Sequence, residues 1–340
     1  MFETWFRLLL RAFWLFSILT LLVGCTPSPQ TVWKFKAEAP IYGAPAICGN
    51  KLVVGSSDHY LYALDVKTGD LSWKVDLGDR ILMTPHIEGN SIYVGAASGY
   101  FYSLNGDNGK IQWRFKSDQI LEFDVCADAT GLYFGSYNGN FYKLDRTGRL
   151  LWSYQTGLHV TSSCVFYKDL VLTSSWDTNF YGFRRDTGEA AWKVSTGLIN
   201  YSGPVLHNDS VFYATHEDLY HLNAENGEIL YRKKTGYVQH LLIHEGFLYG
   251  NEAGLTKRTL EGSLVKTMNL KSWPEFRIAL INNVIVTADT LKTLYGISTN
   301  LEILWKFKAK SQFWTPGVFH DGIYYIANPD SYVYALRLPN

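Results

Sequence analysis

The chain has 340 residues, of which 47% are hydrophobic, 16% aromatic and only 18% charged, a composition that can bury a large core and excludes intrinsic disorder. Its 31 basic and 31 acidic side chains balance, so there is no positive surplus with which to bind a phosphate backbone, and nucleic acid is not expected as a partner. Length alone would allow two average domains, but an internal period of about forty residues makes one repeat-built body the expectation.

Residues 1–24 read as a targeting segment, because Arg7 and Arg11 flank a short Leu run and an apolar stretch from Ala12 to Val23 follows. The stretch ends in Leu22-Val23-Gly24-Cys25, which resembles the bacterial lipobox, where the Cys sulfur is diacylated and the peptide is cut on its N-terminal side. The expectation is a lipoprotein signal peptide over 1–24, then lipidated Cys25 and a polar, Pro-containing tether over 25–31; an uncleaved anchor helix is the alternative. Acyl chains contribute about 0.8 kcal/mol per buried CH₂, so two or three of them hold a domain at a membrane. By resemblance to lipoprotein sorting in enteric-type bacteria, Thr26 in place of Asp implies the outer membrane, on its periplasmic side.

A single folded domain is expected over 32–337, with a short tail at 338–340. Cys48, Cys126 and Cys164 are an odd number for an oxidising compartment and cannot all pair internally. Cys126 and Cys164 fall at one register of neighbouring repeats, where a bridge is conceivable, but small buried hydrophobes are the favoured reading.

The repeat is clearest in Tyr62 to Trp73, Tyr-x-Leu-Asp-x-x-Thr-Gly-x-x-x-Trp, and recurs with substitutions in Tyr102 to Trp113, Tyr142 to Trp152, Tyr181 to Trp192 and Tyr220 to Tyr231. Alternating apolar residues before the Asp predict a strand, Thr-Gly or Asn-Gly supplies the positive φ of a tight turn, and the Trp is expected to end a second strand and wedge between sheets. Small residues upstream, at Gly55, Gly95, Gly135, Thr173, Ala214, Gly250, Thr287 and Ile326, are spaced by 40, 40, 38, 41, 36, 37 and 39 residues, which counts eight units. Ten residues before four of them stand Pro45, Pro85, Pro204 and Pro316. Two residues further on, the side chain is apolar in all eight units (Ile47, Ile87, Ala127, Val165, Leu206, Leu242, Ala279 and Val318). Four short strands per unit predict an all-β, eight-bladed β-propeller of four-stranded antiparallel blades. The last unit stops before its Trp strand, and TVWKFK around Trp33 supplies one, so the N-terminal strand is expected to complete the last blade and remove an exposed sheet edge.

The motif Ala63-x-Asp65-x-x-Thr68-Gly69-x-x-x-Trp73 resembles the tryptophan-docking repeat of the pyrroloquinoline-quinone-type eight-bladed propellers, over about nine tenths of the chain. With the lipobox, the chain is most similar to the BamB family of outer-membrane assembly lipoproteins. The resemblance implies a lipid-anchored, non-enzymatic scaffold, a monomer within an envelope complex, with the barrel-assembly complex as the candidate partner. It assigns Trp33, Trp73, Trp113, Trp152, Trp192 and Trp305 to docking of blades. Enzymatic propellers of the wider family hold quinone and Ca²⁺ with an adjacent Cys-Cys pair and carboxylates. No two cysteines are adjacent here, so neither cofactor nor enzyme activity is expected. The rival readings are a small-molecule or quinone-binding propeller and a surface-exposed adhesion or polysaccharide-binding lipoprotein.

Other chemistry-bearing residues carry no metal or catalytic spacing. His240 and His244 on a strand would lie roughly 13 Å apart, His216-Glu217-Asp218 reads as a solvated hairpin tip, and Asn105-Gly106-Asp107-Asn108-Gly109 reads as a turn lacking the Glu of a Ca²⁺ loop. In a propeller, the segments leading into each blade and the tips between its second and third strands share one face. The candidate interaction residues there are Tyr42, Arg80, Phe123, His159, Tyr201, Trp273, Arg277 and Trp314, accompanied by Glu122, Tyr237, Phe276 and Phe313 and by tip residues His59, Tyr137, Trp176 and His216. In the sixth unit Thr256, Thr259 and Lys266 replace the Tyr, Asp and Trp, which reads either as drift in a weak blade or as a surface released from docking to bind a partner.

Overall fold

A computed structural model describes residues 26–117, 119–121, 124–160, 163–199, 203–238, 240–252, 254–271 and 277–339. Thirty-two strands form eight four-stranded antiparallel sheets, and none of the described residues is helical. Blades 1 to 7 are consecutive in the chain, at 46–76, 86–116, 126–155, 165–195, 205–234, 241–268 and 279–308. Blade 8 joins 318–337 to the N-terminal strand Gln30–Lys36, with Trp33 opposite Ala335 as Trp73 is opposite Ala63 in blade 1. The ring closure expected from sequence is therefore present. In every blade the second and third strands are the most buried; the outermost strand alternates between exposed and half-buried residues in blades 1 and 2, buries its Trp in blades 3, 4 and 7, and is almost wholly exposed in blade 6.

Strand pairing moves the repeat register by one residue in four blades. Gly55 pairs with Leu61, and the equivalent pairs are Ser174 with Phe180, Asn251 with Leu255, Ala288 with Leu294 and Ala327 with Val333. The anchors are thus Ser174, Asn251, Ala288 and Ala327, rather than the residues just before them. Two adjacent small or apolar residues compete for this position in the sequence, and only the ladder distinguishes them. The inner-strand position becomes Phe166, Ile243, Leu280 and Phe319 in these blades, still apolar, each facing the second strand as Ile47 faces Leu52. Pro316 consequently sits one residue out of line with Pro45.

The docking residues lie within their strands, not at the ends: Trp73 is third of six in Leu71–Asp76. From there the indole N–H of Trp33, Trp73, Trp113 and Trp152 donates to the carbonyl of Val66, Gly106, Arg146 and Arg185, in the outer turn of the next blade, at 3.0, 3.1, 2.8 and 3.0 Å. Each acceptor is 33 residues ahead. The turn glycine lies beneath the ring: a Cβ on Gly148 would stand 2.6 Å from Trp113, and one on Gly188 2.5 Å from Trp152. These glycines serve the turn through positive φ (86° and 77°) and also clear the space into which the neighbouring indole docks. Trp192 and Trp305 are buried at the same station.

The docking contact survives replacement of Trp. Tyr231 donates to Leu260 O at 2.8 Å, and Lys266 donates to Asn300 O at 2.7 Å, joined by Lys257 and Tyr249 on Thr299 O at 3.1 and 3.0 Å. Within blade 6, Arg258 makes a bidentate pair with Glu252 at 2.9 and 3.0 Å, the two side chains being 13% exposed. Blade 6 has exchanged an apolar dock for a polar one and is not released from its neighbour.

Two further expectations are corrected. Cys126 and Cys164 form a disulfide, with Cα atoms 5.9 Å apart, joining the inner edges of blades 3 and 4. The register shift in blade 4 puts Cys164 just ahead of its inner strand, where its sulfur reaches across to Cys126. Cys48 is a buried free thiol, pushed up in pKa by burial. Asp218 is not solvated but fully buried, at the start of a strand, where it accepts from Arg232 at 2.7 Å.

Candidate interaction face

The antiparallel order of four strands returns the chain to one side of the disc between blades. It places the blade-to-blade segments beside the tips between second and third strands. Backbone hydrogen bonds knit the two sets: Ser57 N to Pro40 O at 2.9 Å, Ile81 N to Ser56 O at 3.1 Å, Ala97 N to Arg80 O at 2.8 Å and Trp176 N to His159 O at 2.8 Å. These bonds tie the described loops of the top face to one another, which lowers the ordering cost of presenting side chains from them.

Of the candidate residues, Tyr42, Arg80, His159, Arg277 and Trp314 lie on this face, whereas Phe123, Tyr201 and Trp273, with Glu122 and Phe276, fall outside the described residues, as does Cys25. The described rings gather into separate groups. Tyr42 and Trp314 pair across blades 1 and 8 with centroids 5.3 Å apart, and Trp314 is 49% exposed. His159 sits between Tyr137 and Trp176 across blades 3 and 4, at 4.6 and 5.1 Å, its Nδ1 against the Tyr137 carbonyl. His216 meets Tyr237 edge-on at 4.6 Å across blades 5 and 6. Arg80 is exposed beside Asp79. His59 takes a positive φ of 76° at its tip. Phe313 is buried against Tyr334, so its role is packing. Tip carboxylates brace the second row: Asp177 accepts from the Tyr181 hydroxyl at 2.5 Å and from Gly157 N at 2.9 Å. Burial alone would raise the Asp177 pKa, and these hydrogen bonds outweigh it and lower it.

Arg277 does something sequence reasoning missed. It leads into blade 7, and its guanidinium pairs at 2.5 Å with Asp124, which leads into blade 3, four blades away and on the far side of the axis. Asp124 is held from behind by Thr84 N at 3.3 Å, and Thr84 accepts from Ala44 N at 3.2 Å. Arg277 is therefore tied across the axis to Asp124, with about a third of its side chain still open to solvent. Burial and the Arg277 charge push the nearby His240 imidazole well below its ordinary pKa. Because the two side chains are about a third exposed, a double-mutant cycle with Arg277→Met and Asp124→Asn should give a coupling of about 1 kcal/mol that shrinks with added salt. Zero coupling at low salt would mean that the pair does not form in solution.

The opposite face carries a charge ladder across blades 2 to 5. Arg146 makes two 2.7 Å bonds to Glu88 of the preceding blade, Arg185 reaches Asp128 at 2.8 Å, and the Tyr167 hydroxyl donates to Asp209 at 2.7 Å. Burial would raise the Asp128 pKa, but hydrogen bonds from Thr130 and Arg185 outweigh it and hold it low. Each rung links the outer turn or inner hairpin of one blade to its neighbour, so the ladder is structural. Among the described residues, no group of three or more His, Cys, Asp or Glu is placed to hold a metal ion.

Comparison with protein families gives one match, over residues 26–233, to the family described as outer membrane protein assembly factor BamB. Comparison with curated proteins by sequence gives no match. Among solved structures, the chain is similar to BamB from Moraxella catarrhalis at TM-score 0.78 and 13% identity, over 92% of this chain and 99% of that one. It is similar to the computationally designed Ika8 protein at 0.81 and 15%, over 91% and 100%, and to Saccharomyces cerevisiae Sqt1 at 0.80 and 11%, over 92% and 100%. At these identities the structural likenesses speak for the ring alone.

Proposed function

We propose, for a chain that belongs to the family of outer membrane protein assembly factor BamB, that it is a lipid-anchored, non-enzymatic scaffold for the assembly of outer-membrane β-barrel proteins. The propeller fold supports a protein-interaction scaffold in general, and the family match supports the finer reading. In this reading Cys25 carries the acyl chains, the tether leads to the ring, and the body works as a monomer within a complex on the periplasmic side of the outer membrane. The observation that carries an interaction role is the pairing of Tyr42 with half-exposed Trp314 on the top face, away from the outer turns where the docking indoles bond. Aromatic anchors on a rigid rim offer contact area at small entropic cost.

Pull-down of the native lipoprotein from solubilised membranes should recover components of the barrel-assembly complex, and Trp314→Ala with Tyr42→Ala should reduce that recovery at least about tenfold, as loss of a hot-spot pair does. Recovery of no envelope protein, or undiminished recovery by the double variant, would count against the scaffold and against this face respectively. Cys25→Ser should abolish incorporation of labelled fatty acid.

A further inference from the structure

The outer strands of the eight blades differ in one respect that docking does not explain. Two positions on each, one and three residues after the docking residue, point away from the dock. In blades 1 to 6 they are Lys74 and Asp76, Arg114 and Lys116, Ser153 and Gln155, Lys193 and Ser195, Arg232 and Lys234, and Thr267 and Asn269. In blade 7 they are Lys306 and Lys308, and in blade 8 Lys34 and Lys36. Blades 7 and 8 are the only neighbours that are both fully basic. In blade 5 the bases are neutralised, Arg232 by Asp218 at 2.7 Å and Lys234 by Glu217 at 3.5 Å. No ion pair is made by Lys34, Lys36, Lys306 or Lys308 among the described residues; Lys34 and Lys36 rest over the Tyr332 ring at 5.3 and 5.9 Å, and Lys306 over Tyr295 at 5.9 Å. Lys34, Lys36 and Lys308 are exposed.

This is also where the chain leaves the ring. The tether does not hang free at Gln30. Pro29 is buried, and the Pro27 carbonyl accepts from Lys306 N at 3.0 Å, so residues 27–29 are laid along the outer edge of blade 7. Cys25 is two residues further, at most about 7 Å of extended chain. Whatever holds Cys25 therefore lies beside Lys306, at the rim of blades 7 and 8 that carries the four lysines.

We propose that the rim of blades 7 and 8 is a membrane-facing surface whose lysines bind anionic phospholipid headgroups, so that the disc stands with this rim against the bilayer and its two faces free at the sides. The inference rests on lipidation at Cys25. The occupant follows from charge, since four ammonium groups without a carboxylate partner among the described residues, Lys308 donating only to Leu291 O and Thr293 Oγ1, meet a negative headgroup layer beside an anchor, and from the clipped tether, which is too short to let the disc turn another rim to the membrane. A basic residue near such a surface is worth about 1 kcal/mol, so four would bias one orientation strongly.

The test uses the full-length acylated protein, alone, in vesicles of phosphatidylethanolamine and phosphatidylcholine with or without phosphatidylglycerol, and reads acetylation of individual lysines by mass spectrometry. With phosphatidylglycerol, Lys34, Lys36, Lys306 and Lys308 should react several-fold more slowly, while Lys110 and Lys168 should be unchanged, and molar salt should erase the difference. Lys34→Gln with Lys36→Gln should stay in the vesicle fraction yet lose the slowing at Lys306 and Lys308. Equal reactivity with and without the anionic lipid overturns the proposal, as does protection that appears only when an acidic envelope protein is added. The same spectra report the acyl chains. A protein that lacks them refutes the anchor and this inference together, whereas an acylated protein with unprotected lysines refutes this inference alone.

Discussion

Trp152→Ala should lower the free energy of unfolding by about 3–5 kcal/mol, the range for removing a buried large aromatic side chain. The ring is 8% exposed, lies 5.8 Å from Tyr133 and from Phe141, covers Gly188 of the next blade, and donates to Arg185 O at 3.0 Å. Because these contacts of the ring are all with blades 3 and 4, the cost falls on their junction. That junction is also held at its inner end by the Cys126–Cys164 disulfide and on the opposite face by Arg185 and Asp128, so it should loosen at the rim first. Trp152→Phe keeps most of the packing and loses the hydrogen bond, about 1 kcal/mol in addition to the smaller ring. Trp314→Ala removes a ring that is 49% exposed and should change stability by no more than about 0.5 kcal/mol. Urea midpoints at unchanged m-value measure all three. Equal shifts for Trp152→Ala and Trp314→Ala would show that the repeat tryptophan is not what joins blades.

The contrast between these two tryptophans marks how far the sequence could be read. Trp152 belongs to a pattern that recurs, with substitutions, around an Asp or Asn, a Thr or Asn, and a Gly. The need for a turn and a docking residue keeps enough of that pattern in successive blades that eight units, four strands each and the closure by Trp33 follow from spacing. The one-residue register shift in blades 4, 6, 7 and 8 was not legible, because Thr173-Ser174 or Thr287-Ala288 offers two small residues to one position and only cross-strand pairing chooses. Trp314 and Tyr42 could be assigned to a face but not to each other, since blades 1 and 8 meet through closure of the ring. The Arg277–Asp124 pair was further out of reach. Its members are 153 residues apart and are opposed only because blades 3 and 7 of eight face each other across the axis. The Cys126–Cys164 bridge was within reach as a possibility, and burial statistics for cysteine pointed the other way. Of the two readings of the sixth unit, release from docking fails: a lysine can reach the same turn carbonyl as an indole, so loss of the aromatic residue at Lys266 is not loss of the dock.

Exchanging residues 1–25 for a secretory leader that is cut before Thr26 should move the protein entirely from the membrane to the soluble periplasmic fraction. Two energies compete to hold it. Acyl chains bring about 0.8 kcal/mol per buried CH₂; one chain is marginal, and two or three are firm. The four rim lysines bring about 1 kcal/mol each at low salt, roughly the free energy of a millimolar dissociation constant, and less when screened. The lysines can therefore orient an anchored disc but cannot retain a free one. Fractionation should find the unanchored body in the supernatant at physiological salt, with a stability within about 0.5 kcal/mol of the acylated protein because the exchange leaves Thr26 onward, and with it the Pro27 carbonyl bond to Lys306 N, in place. Persistence in the membrane pellet would overturn the anchor at Cys25 if it resisted high salt and detergent-free washing. The top-face rings are untouched by the exchange, so in detergent extract the released body should still capture the partners of the native lipoprotein. Loss of capture there would place the partner site at the acylated end instead of at Tyr42 and Trp314.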